Sequence, residues 1–189
     1  MSNARRELIL GGQRSGKSRR GEQLAAAWLL QSPAHRAVLI ATARAHDEEM
    51  RARIERHRSD RVSRVPAMAT VEEPLALAEA IRLHGAAQTL VLVDCLTLWL
   101  TNLLMPVDGA ATSVSSIEEA VSDLVDAIQE SSGSLVLVGN EIGLGVIPLG
   151  REVRVFVDAL GRLNQQVAAA CDRVTMMVAG LPLTLKDVS

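Results

Sequence analysis

The chain has 189 residues, of which 48% are hydrophobic and 22% are charged, with a net charge of −2. This length suits a single domain spanning residues 1–189, and the apolar content excludes a disordered chain. A slightly acidic protein with one Phe, two Trp and no Tyr is unlike a dedicated nucleic-acid binder, which needs cationic and aromatic side chains.

The sequence contains neither a secretory leader nor an apolar run of the roughly 20 residues needed to cross a bilayer. We therefore expect a cytoplasmic protein with no membrane partner. Cys95 and Cys171 lie in apolar contexts, which predicts two buried, reduced thiols. Among the 20 cationic side chains, only Lys17 and Lys186 are lysine, so each lysine is a candidate for a chemical role.

Short apolar runs alternate with helical segments along the chain. We predict strands at Glu7–Leu10, Ala37–Thr42, Thr89–Asp94, Ser134–Gly139 and Arg173–Ala179. We predict helices at Ser18–Gln31, Asp47–Arg61, Pro74–His84, Ser116–Glu130 and Arg151–Cys171. The strands are apolar throughout, as in a parallel sheet covered on both faces. This order predicts an α/β fold with a mostly parallel, doubly wound sheet and helices on both faces, in which Leu181–Leu185 is a candidate antiparallel edge strand.

Local signals mark the ends of several helices. Pro74 is typical of a first helical turn, and Gly85 is typical of a helix end. Ser116 and Glu119 match a capping box, in which each side chain bonds to the other residue's backbone N–H. The stretch Pro106–Ser115 is predicted to be a surface connection.

The segment after the first strand fits the pattern G-x-x-x-x-G-K-[ST] of a phosphate-binding loop. It consists of Gly11, Gly12, Gln13, Arg14, Ser15, Gly16, Lys17 and Ser18. Glycines in such a loop allow backbone N–H groups to surround phosphate oxygens at a helix N-terminus. Lys17 would reach the β- and γ-phosphates, and the Ser18 hydroxyl would bind Mg²⁺. The alternative is a glycine-rich turn between a strand and a helix that binds no ligand.

Asp94 ends the apolar strand Thr89–Asp94, so its carboxylate is expected at the carboxyl edge of the sheet, where ligands bind in this fold class. A carboxylate there typically supports the Mg²⁺ of a phosphate-loop protein. Asp94 is therefore our candidate for the second Mg²⁺ ligand. The alternative is a cap for the helix that follows, and one residue can serve both purposes.

A histidine lies among arginines in the helix at 47–61. Met50, Ile54 and His57 are spaced i, i+4, i+7, which predicts that His57 shares the face that packs inward. The surrounding cations are Arg51, Arg53, Arg56, Arg58, Arg61 and Arg64. They would favour the neutral imidazole, which is a competent nucleophile, and they would also suit nucleotide phosphates. The alternative is a structural histidine on a solvated, arginine-rich helix.

Two polar residues, Asn140 and Glu141, follow the strand Ser134–Gly139, and the glycine-rich sequence GLGVIP at 143–148 comes next. A loop at the carboxyl edge of a parallel sheet is a candidate wall of a substrate site. The alternative is a tight turn into the last helix.

Several segments together resemble the bifunctional adenosylcobinamide kinase/adenosylcobinamide-phosphate guanylyltransferase family of cobalamin biosynthesis. They are GGQRSGKSR (11–19), IATARAHDEEMRARIERHR (40–58), the strand segment VLVDCLTLWLTNLL (91–104), GNEIGLGVIP (139–148), GRLNQQVAAACDRV (161–174) and AGLPLTLK (179–186). The phosphate loop alone is common to many NTPases. The combination of R-I-x-x-H-R, D-C-L-T-L-W-L-T-N-L-L and N-E-x-G-x-G is far more specific, and the segments span nearly the whole chain.

This resemblance implies a P-loop NTPase-like fold and two activities. One phosphorylates the aminopropanol hydroxyl of adenosylcobinamide with ATP or GTP, and the other transfers GMP from GTP to that phosphate, giving adenosylcobinamide-GDP and pyrophosphate. In the family the transfer passes through a guanylylated histidine in the helix after the second strand, which the motif R-I-x-x-H-R places at His57. Similar proteins assemble as homotrimers, so the resemblance also implies self-association.

The resemblance further implies a set of GTP contacts beyond the phosphate loop. They map to Ala41, Thr42, Ala43, Arg58, Ser59, Asp60, Arg61, Glu72 and Asp94. Glu72 and Asp94 are both candidates for the carboxylate that recognises guanine. Two other functions stay open: a phosphate-loop kinase of small molecules, which needs no nucleophilic His57, and a nucleotide-dependent regulatory binder, which needs no substrate site beside the γ-phosphate.

Overall fold

In the computed structural model, which describes residues 5–45, 47–106, 113–145 and 148–188, strands and helices alternate along the chain. The strands are β1 (Arg6–Gly11), β2 (Arg36–Ala41), β3 (Ala69–Glu72), β4 (Thr89–Asp94), β5 (Ser134–Val138), β6 (Arg173–Val178) and β7 (Leu181–Asp187). The helices are α1 (Lys17–Gln31), α2 (Glu48–Arg64), α3 (Leu77–His84), α4 (Leu96–Leu104), α5 (Val114–Glu130) and α6 (Arg151–Ala170). The five strands and five helices predicted from the sequence are all present.

Within the described residues the strands form one sheet in the order β3-β2-β4-β5-β1-β6-β7. Neighbouring strands pair in parallel, except that β6 and β7 are antiparallel. The mostly parallel sheet and its antiparallel edge strand are thus confirmed. Strand β5 lies between β4 and β1, so the loop after β1 and the residue that ends β4 are two strands apart at the same edge.

Helices cover both faces of this sheet, as predicted. On one face, Ala25 and Trp28 of α1 pack in a buried cluster with Leu39 of β2 and Leu92 of β4. The other face buries side chains from four helices, including Ile81 of α3, Trp99 of α4, Leu124 of α5 and Leu163 of α6. The apolar runs of the strands are continuous because both of their faces are covered.

Strand β3 and helix α4 were not predicted from the sequence. β3 has four residues, lies at the edge of the sheet and is largely exposed, so it carries no apolar run. The sequence of α4 is almost entirely apolar and directly continues that of β4, so the segment 91–104 was interpreted as strand. A short buried helix and a buried strand have the same apolar pattern, and only the packing of Trp99, which is 1% exposed, separates them.

Two helix starts differ from those predicted. Helix α5 begins at Val114, and the Ser113 hydroxyl accepts a hydrogen bond from the backbone N–H of Ser116 at 3.2 Å, so the capping box starting at Ser116 is wrong. Helix α3 begins at Leu77 rather than Pro74, because the carboxylate of the residue before Pro74 accepts two backbone N–H groups in a turn. The predicted connection at 106–115 falls mostly on residues 107–112, which lie outside the described residues.

The thiols of Cys95 and Cys171 are buried and free, as predicted. Burial is the main cause that raises the pKa of each thiol to about 12, with a further contribution from Asp94 at the first and from Asp172 at the second. No helix in the described parts of the chain is long and apolar enough to span a membrane.

Candidate active site at the carboxyl edge of the sheet

The loop between β1 and α1 has a backbone that requires glycine. Gly11 has a φ of 151° and Gly16 has a φ of 100°. A Cβ atom at Gly11 would lie 2.6 Å from both the carbonyl oxygen of Met177 and the hydroxyl oxygen of Ser15. The loop therefore lies directly against β6, and the two glycines of the motif are required by the geometry of the chain.

Helix α1 starts immediately after this loop, at Lys17. Lys17 is 8% exposed, and its ammonium group donates a hydrogen bond to the carbonyl oxygen of Gly12 at 2.6 Å. Among the described residues no side chain caps the N-terminus of α1, whose N-cap is Gly16. The first N–H groups of the helix therefore remain available to an anion, and the Ser18 hydroxyl lies in the same first turn.

The ends of three adjacent strands bring two carboxylates to the same edge. Ala41 at the end of β2 pairs in register with Glu72 at the end of β3 and with Asp94 at the end of β4. Neighbouring strands lie about 4.8 Å apart, so the backbones of Glu72 and Asp94 are separated by about 10 Å, with β2 between them. The two residues predicted as candidates for guanine recognition therefore flank the same strand end.

Asp94 does not cap the helix that follows it. The N-cap of α4 is Cys95, and among the described residues no side chain makes a cap hydrogen bond to this helix. Carboxylate and hydroxyl oxygens are donors that Mg²⁺ prefers, and Mg²⁺ usually binds one or two protein oxygens together with phosphates and waters. Ser18 and Asp94 match that donor set. The described residues hold no group of three or more metal-ligating side chains.

Thr42 links the ends of β2 and β4. Its side chain is fully buried; the hydroxyl donates to the carbonyl oxygen of Cys95 at 2.7 Å and accepts from the Cys95 N–H at 2.9 Å. The carbonyl oxygen of Thr42 accepts from the amide of Asn102 at 2.8 Å. Thr42 therefore fixes the backbone next to Asp94. Sequence reasoning missed Asn102, although a buried amide within an apolar segment indicates such a role.

His57 lies on α2 and is exposed, so the prediction that it packs inward is wrong. Ile54 and Arg61, which lie on the same side of the helix, are half-buried. The spacing assigned the correct face, but the sequence of α2 has too few apolar residues to bury the whole length of that face. The imidazole is consequently accessible to a ligand.

Helix α2 is anchored to α1 and lies close to Asp94. Arg64 donates to the carboxylate of Glu22 on α1 at 2.8 Å, and Glu22 is buried. Burial lowers the pKa of the Arg61 guanidinium, an effect that the nearby carboxylates of Asp94 and Glu22 oppose and that Arg58 reinforces. Arg61, one helical turn beyond His57, therefore lies near Asp94, which together with Glu72 forms what is here termed the acidic edge.

The three residues between His57 and Arg61 lie on the surface of α2. Arg58, Ser59 and Asp60 are exposed, and Asp60 forms an ion pair with Arg64 at 3.3 Å. Ala43, which follows the β2 end, is half-buried. Of the residues predicted to contact GTP, Ala41, Glu72 and Asp94 therefore share one register at the strand ends, whereas Arg58, Ser59 and Asp60 lie exposed on α2.

The loop that follows β5 is fixed on both sides. The N–H of Asn140 donates to the Thr97 hydroxyl at 2.8 Å, and the carbonyl oxygen of Asn140 accepts from the Asn164 amide at 3.1 Å. The next N–H, that of Glu141, donates to the carbonyl oxygen of Gly11 at 3.1 Å. The loop is thus joined to the phosphate loop. Thr97 and Asn164 were missed, although each is a polar residue within a largely apolar helical segment.

Sequence comparisons identify the family. A family profile described as cobinamide kinase / cobinamide phosphate guanyltransferase matches residues 7–185. The chain belongs to this family. The family resemblance seen in the sequence is therefore confirmed, and so is the enzyme class, a cobinamide kinase and cobinamide phosphate guanylyltransferase.

Relatives match this family member over nearly their whole length. The bifunctional adenosylcobalamin biosynthesis protein CobP of Pseudomonas aeruginosa is 49% identical over 181 residues, which cover 96% of the chain and 97% of the relative. The protein CobU of Escherichia coli, which has the same description, is 36% identical over 187 residues, covering 95% and 98%. That of Salmonella typhimurium is 35% identical over 187 residues.

A solved structure supports the fold alone. The flagellar accessory protein FlaH from Methanocaldococcus jannaschii aligns with a TM-score of 0.54 at 9% sequence identity, covering 97% of this chain and 78% of its own. The similarity confirms the α/β architecture of this family member and carries no information on its substrate.

Proposed function

We propose that this enzyme phosphorylates adenosylcobinamide at its phosphate loop and then transfers GMP to the product through a guanylylated His57. The observation that carries the proposal is the family match over residues 7–185. It is supported by the phosphate loop and Asp94 at the carboxyl edge of one sheet, and by Arg61, which lies one helical turn beyond the exposed His57 and near enough to Asp94 for that carboxylate to oppose the lowering of the Arg61 pKa by burial. We propose that both reactions occur on this one domain.

In the kinase step, the substrate hydroxyl attacks the γ-phosphorus of ATP or GTP. A bond forms between the hydroxyl oxygen and that phosphorus, the bond to the β-phosphate oxygen breaks to release the nucleoside diphosphate, and the hydroxyl proton passes to solvent. The α1 N-terminus and Lys17 hold the phosphates. Ser18 and Asp94 would hold Mg²⁺, which supplies charge neutralisation at the phosphates.

In the transfer step, an imidazole nitrogen of His57 attacks the α-phosphorus of GTP. A P–N bond forms, the bond between the α-phosphorus and the bridging oxygen breaks, and pyrophosphate leaves. The phosphate oxygen of adenosylcobinamide phosphate then attacks the same phosphorus and displaces the imidazole. Two steps replace one encounter between two highly anionic partners. The α2 arginines, with Arg58 and Arg61 nearest along the chain, offset the charge on the leaving pyrophosphate.

Guanine selection is assigned to the carboxylates at the ends of β3 and β4. A carboxylate accepts hydrogen bonds from the N1–H and 2-amino groups of guanine, a donor pair that adenine does not offer. Leaving such a carboxylate unpaired costs about 1–3 kcal/mol, which corresponds to tenfold or greater discrimination. We expect Glu72→Gln or Asp94→Asn to reduce the preference for GTP over ATP in the transfer step. An unchanged preference in both variants would contradict this assignment.

The nucleophile is tested with α-labelled GTP and denaturing electrophoresis. Wild-type protein should retain label in a linkage that is labile in acid and stable in alkali, as expected for a P–N bond. His57→Ala should lose the label and guanylyl transfer but keep kinase activity. His84→Ala, on the far side of the sheet, is the matched control. Covalent labelling of His57→Ala at the wild-type level would exclude His57 as the nucleophile, and the monofunctional kinase would then be the better reading.

The phosphate loop is tested with Lys17→Met, which keeps most of the buried stem and removes the charge. We expect kinase turnover to fall at least about a hundredfold, since Lys17 stabilises charge on the transferred phosphoryl group. The variant should fold, as measured by its urea midpoint. Near-normal turnover would contradict the assignment, and nucleotide binding without any turnover in the wild type would favour the regulatory binder.

We also propose that the protein self-associates as a homotrimer. Strand β7 supports this: its residues Leu181, Leu183 and Leu185 are 71%, 56% and 56% exposed on the antiparallel strand at the edge of the sheet. Such an apolar row at an edge strand is usually covered by a partner. Light scattering should give three times the chain mass, and Leu183→Glu should lower it.

A further inference from the structure

Two contiguous clefts open where the phosphate loop meets β6, on the side away from Asp94. The first, here termed the apolar cleft, has a volume of about 350 Å³ and is lined by the phosphate loop with Leu144, Met177 and Val178. The second, the arginine cleft, has a volume of about 440 Å³ and is lined by Arg14, Arg19, Arg20 and Gln23. Both share Arg14, so they form one surface continuous with the loop.

Two buried polar atoms at these clefts have no hydrogen-bond partner among the described residues. They are the hydroxyl oxygen of Ser15, which lines both clefts, and the Nε atom of Arg20, which lines the arginine cleft. Buried polar atoms are nearly always satisfied in folded proteins. The polar groups beside the clefts are therefore not fully satisfied by the described residues.

Helix α1 separates this surface from the helix that carries His57. Glu22 is directed toward α2, where it pairs with Arg64, whereas Arg19, Arg20 and Gln23 line the arginine cleft. The sheet order gives the same separation, because β6 neighbours β1 on one side and β5 and β4 follow on the other. The clefts and the acidic edge thus lie on opposite sides of the phosphate loop.

The two reactions need opposite ends of a nucleoside triphosphate at the acidic edge. In guanylyl transfer, the α-phosphorus must reach His57, so the nucleoside lies toward α2 and the β- and γ-phosphates lie in the loop. In phosphorylation, the γ-phosphorus must lie toward Asp94, so the nucleoside points away from the acidic edge. A single orientation of the triphosphate cannot satisfy both requirements.

We infer that the apolar cleft binds the purine nucleoside of the kinase donor, whose triphosphate crosses the phosphate loop in the direction opposite to that of the guanylyl donor. This inference rests on the proposed function of His57. The phosphate loop serves both reactions, and each nucleoside has its own subsite. The enzyme can therefore hold a guanylyl group on His57 and a kinase donor in the loop at the same time.

The chemistry of the clefts fits a purine nucleotide. Leucine and valine methyl groups pack well against the flat face of a base, and Leu144 and Val178, which are 82% and 58% exposed, line the apolar cleft. Its volume is within the range of small-molecule sites. Arg14, which borders both clefts, and Arg19 provide charged donors for the α-phosphate of a nucleotide in this orientation.

The first experiment measures nucleotide binding to the guanylylated enzyme. Wild-type protein is labelled with GTP, freed of pyrophosphate and titrated by calorimetry with the β,γ-imido analogue of whichever nucleotide supports the kinase step. We expect the Kd to lie within about threefold of that of unmodified His57→Ala, which the analogue cannot guanylylate. A Kd weaker by about tenfold or more would overturn the inference, because it would mean that the guanylyl group occupies the donor's nucleoside site. Absence of covalent label would instead refute the proposed function.

The second experiment fills the apolar cleft. Val178 lines the cleft and is 58% exposed, so Val178→Trp adds bulk without changing the core. The matched control is Leu83→Trp on α3, which is 77% exposed and lines neither cleft. We expect Val178→Trp to raise the kinase KM for the donor nucleotide about tenfold or more while labelling of His57 stays within about twofold, and the control to change neither.

An equal loss of both activities in folded Val178→Trp, or no change in the donor KM, would contradict the inference. Circular dichroism and the urea midpoint establish folding. Leu144→Trp, on the loop that forms the opposite wall of the cleft, provides a second variant in case the strand does not accept the larger side chain; Leu144 is 82% exposed.

Discussion

Replacing Thr42 with valine keeps the shape of the side chain and removes only its hydroxyl. That hydroxyl makes two hydrogen bonds to the backbone of Cys95, at 2.7 and 2.9 Å, beside the candidate Mg²⁺ ligand Asp94. The substitution therefore separates the contribution of this link from that of packing. We expect it to destabilise the protein and to disturb the position of the Asp94 carboxylate.

The magnitude follows from the partners that remain. The Cys95 carbonyl oxygen still accepts from the Trp99 N–H at 3.2 Å. Removing the hydrogen bond from Thr42 to this oxygen therefore costs only about 1 kcal/mol. The Cys95 N–H loses its partner in a site where the residue is 8% exposed, which costs about 1–3 kcal/mol. Burying a methyl group instead of a hydroxyl returns about 0.8 kcal/mol. The net expectation is a decrease of about 1–3 kcal/mol in the free energy of unfolding.

Urea denaturation of Thr42→Val and Thr42→Ser measures the effect. Serine keeps both hydrogen bonds and loses one buried methyl group, which costs about 1 kcal/mol. Valine should therefore be the less stable variant, and its kinase kcat should fall further than that of serine at equal folded fraction. A valine variant as stable as serine or more so would refute the reasoning, because it would show that the hydroxyl contributes no net stabilisation.

The remaining predictions concern the phosphate loop, the two thiols and helix α2. Gly11→Ala should destabilise the protein by at least about 2 kcal/mol, because its Cβ would meet a backbone carbonyl oxygen at 2.6 Å, whereas Gly12→Ala has no atom within 4 Å and should unfold at a nearly wild-type urea midpoint. The raised thiol pKa of about 12 at Cys95 and Cys171 predicts negligible alkylation of the native protein at pH 8. Between about pH 9 and 12, stability should fall as pH rises, since the thiols ionise only in the unfolded chain. Arg64→Met leaves the buried Glu22 carboxylate on α1 without its ion-pair partner. We expect the free energy of unfolding to fall by about 1–3 kcal/mol, a figure that solvent screening reduces because the Arg64 side chain is 42% exposed. The variant should slow guanylylation more than phosphorylation.

The sequence determines those parts of the fold that depend on single residues or on short contiguous segments. Glycine at positions 11 and 16 reflects backbone conformations that other residues rarely adopt, so the phosphate loop is recognisable without a structure. The continuous apolar runs of β1, β2, β4 and β5 reflect burial on both faces, which already specifies a parallel sheet. Family membership was predictable for the same reason, since its motifs are short and contiguous.

Tertiary structure decided what depends on residues far apart in the chain. Whether the apolar segment after β4 continues as strand or turns into helix depends on what packs around Trp99. His57 lies on the face that the spacing assigned, yet it is exposed, because burial depends on neighbouring elements.

The positions of Asp94, Glu72 and the phosphate loop relative to one another also depend on the tertiary structure. Strand order places β5 between Asp94 and the phosphate loop, and register brings Glu72 level with Ala41 and Asp94. No local pattern encodes that order, because it is set by how the crossover helices pack on the two faces of the sheet. The sequence by itself thus specified the candidate groups for the chemistry, and the packing of the chain decided on which side of the loop each one lies.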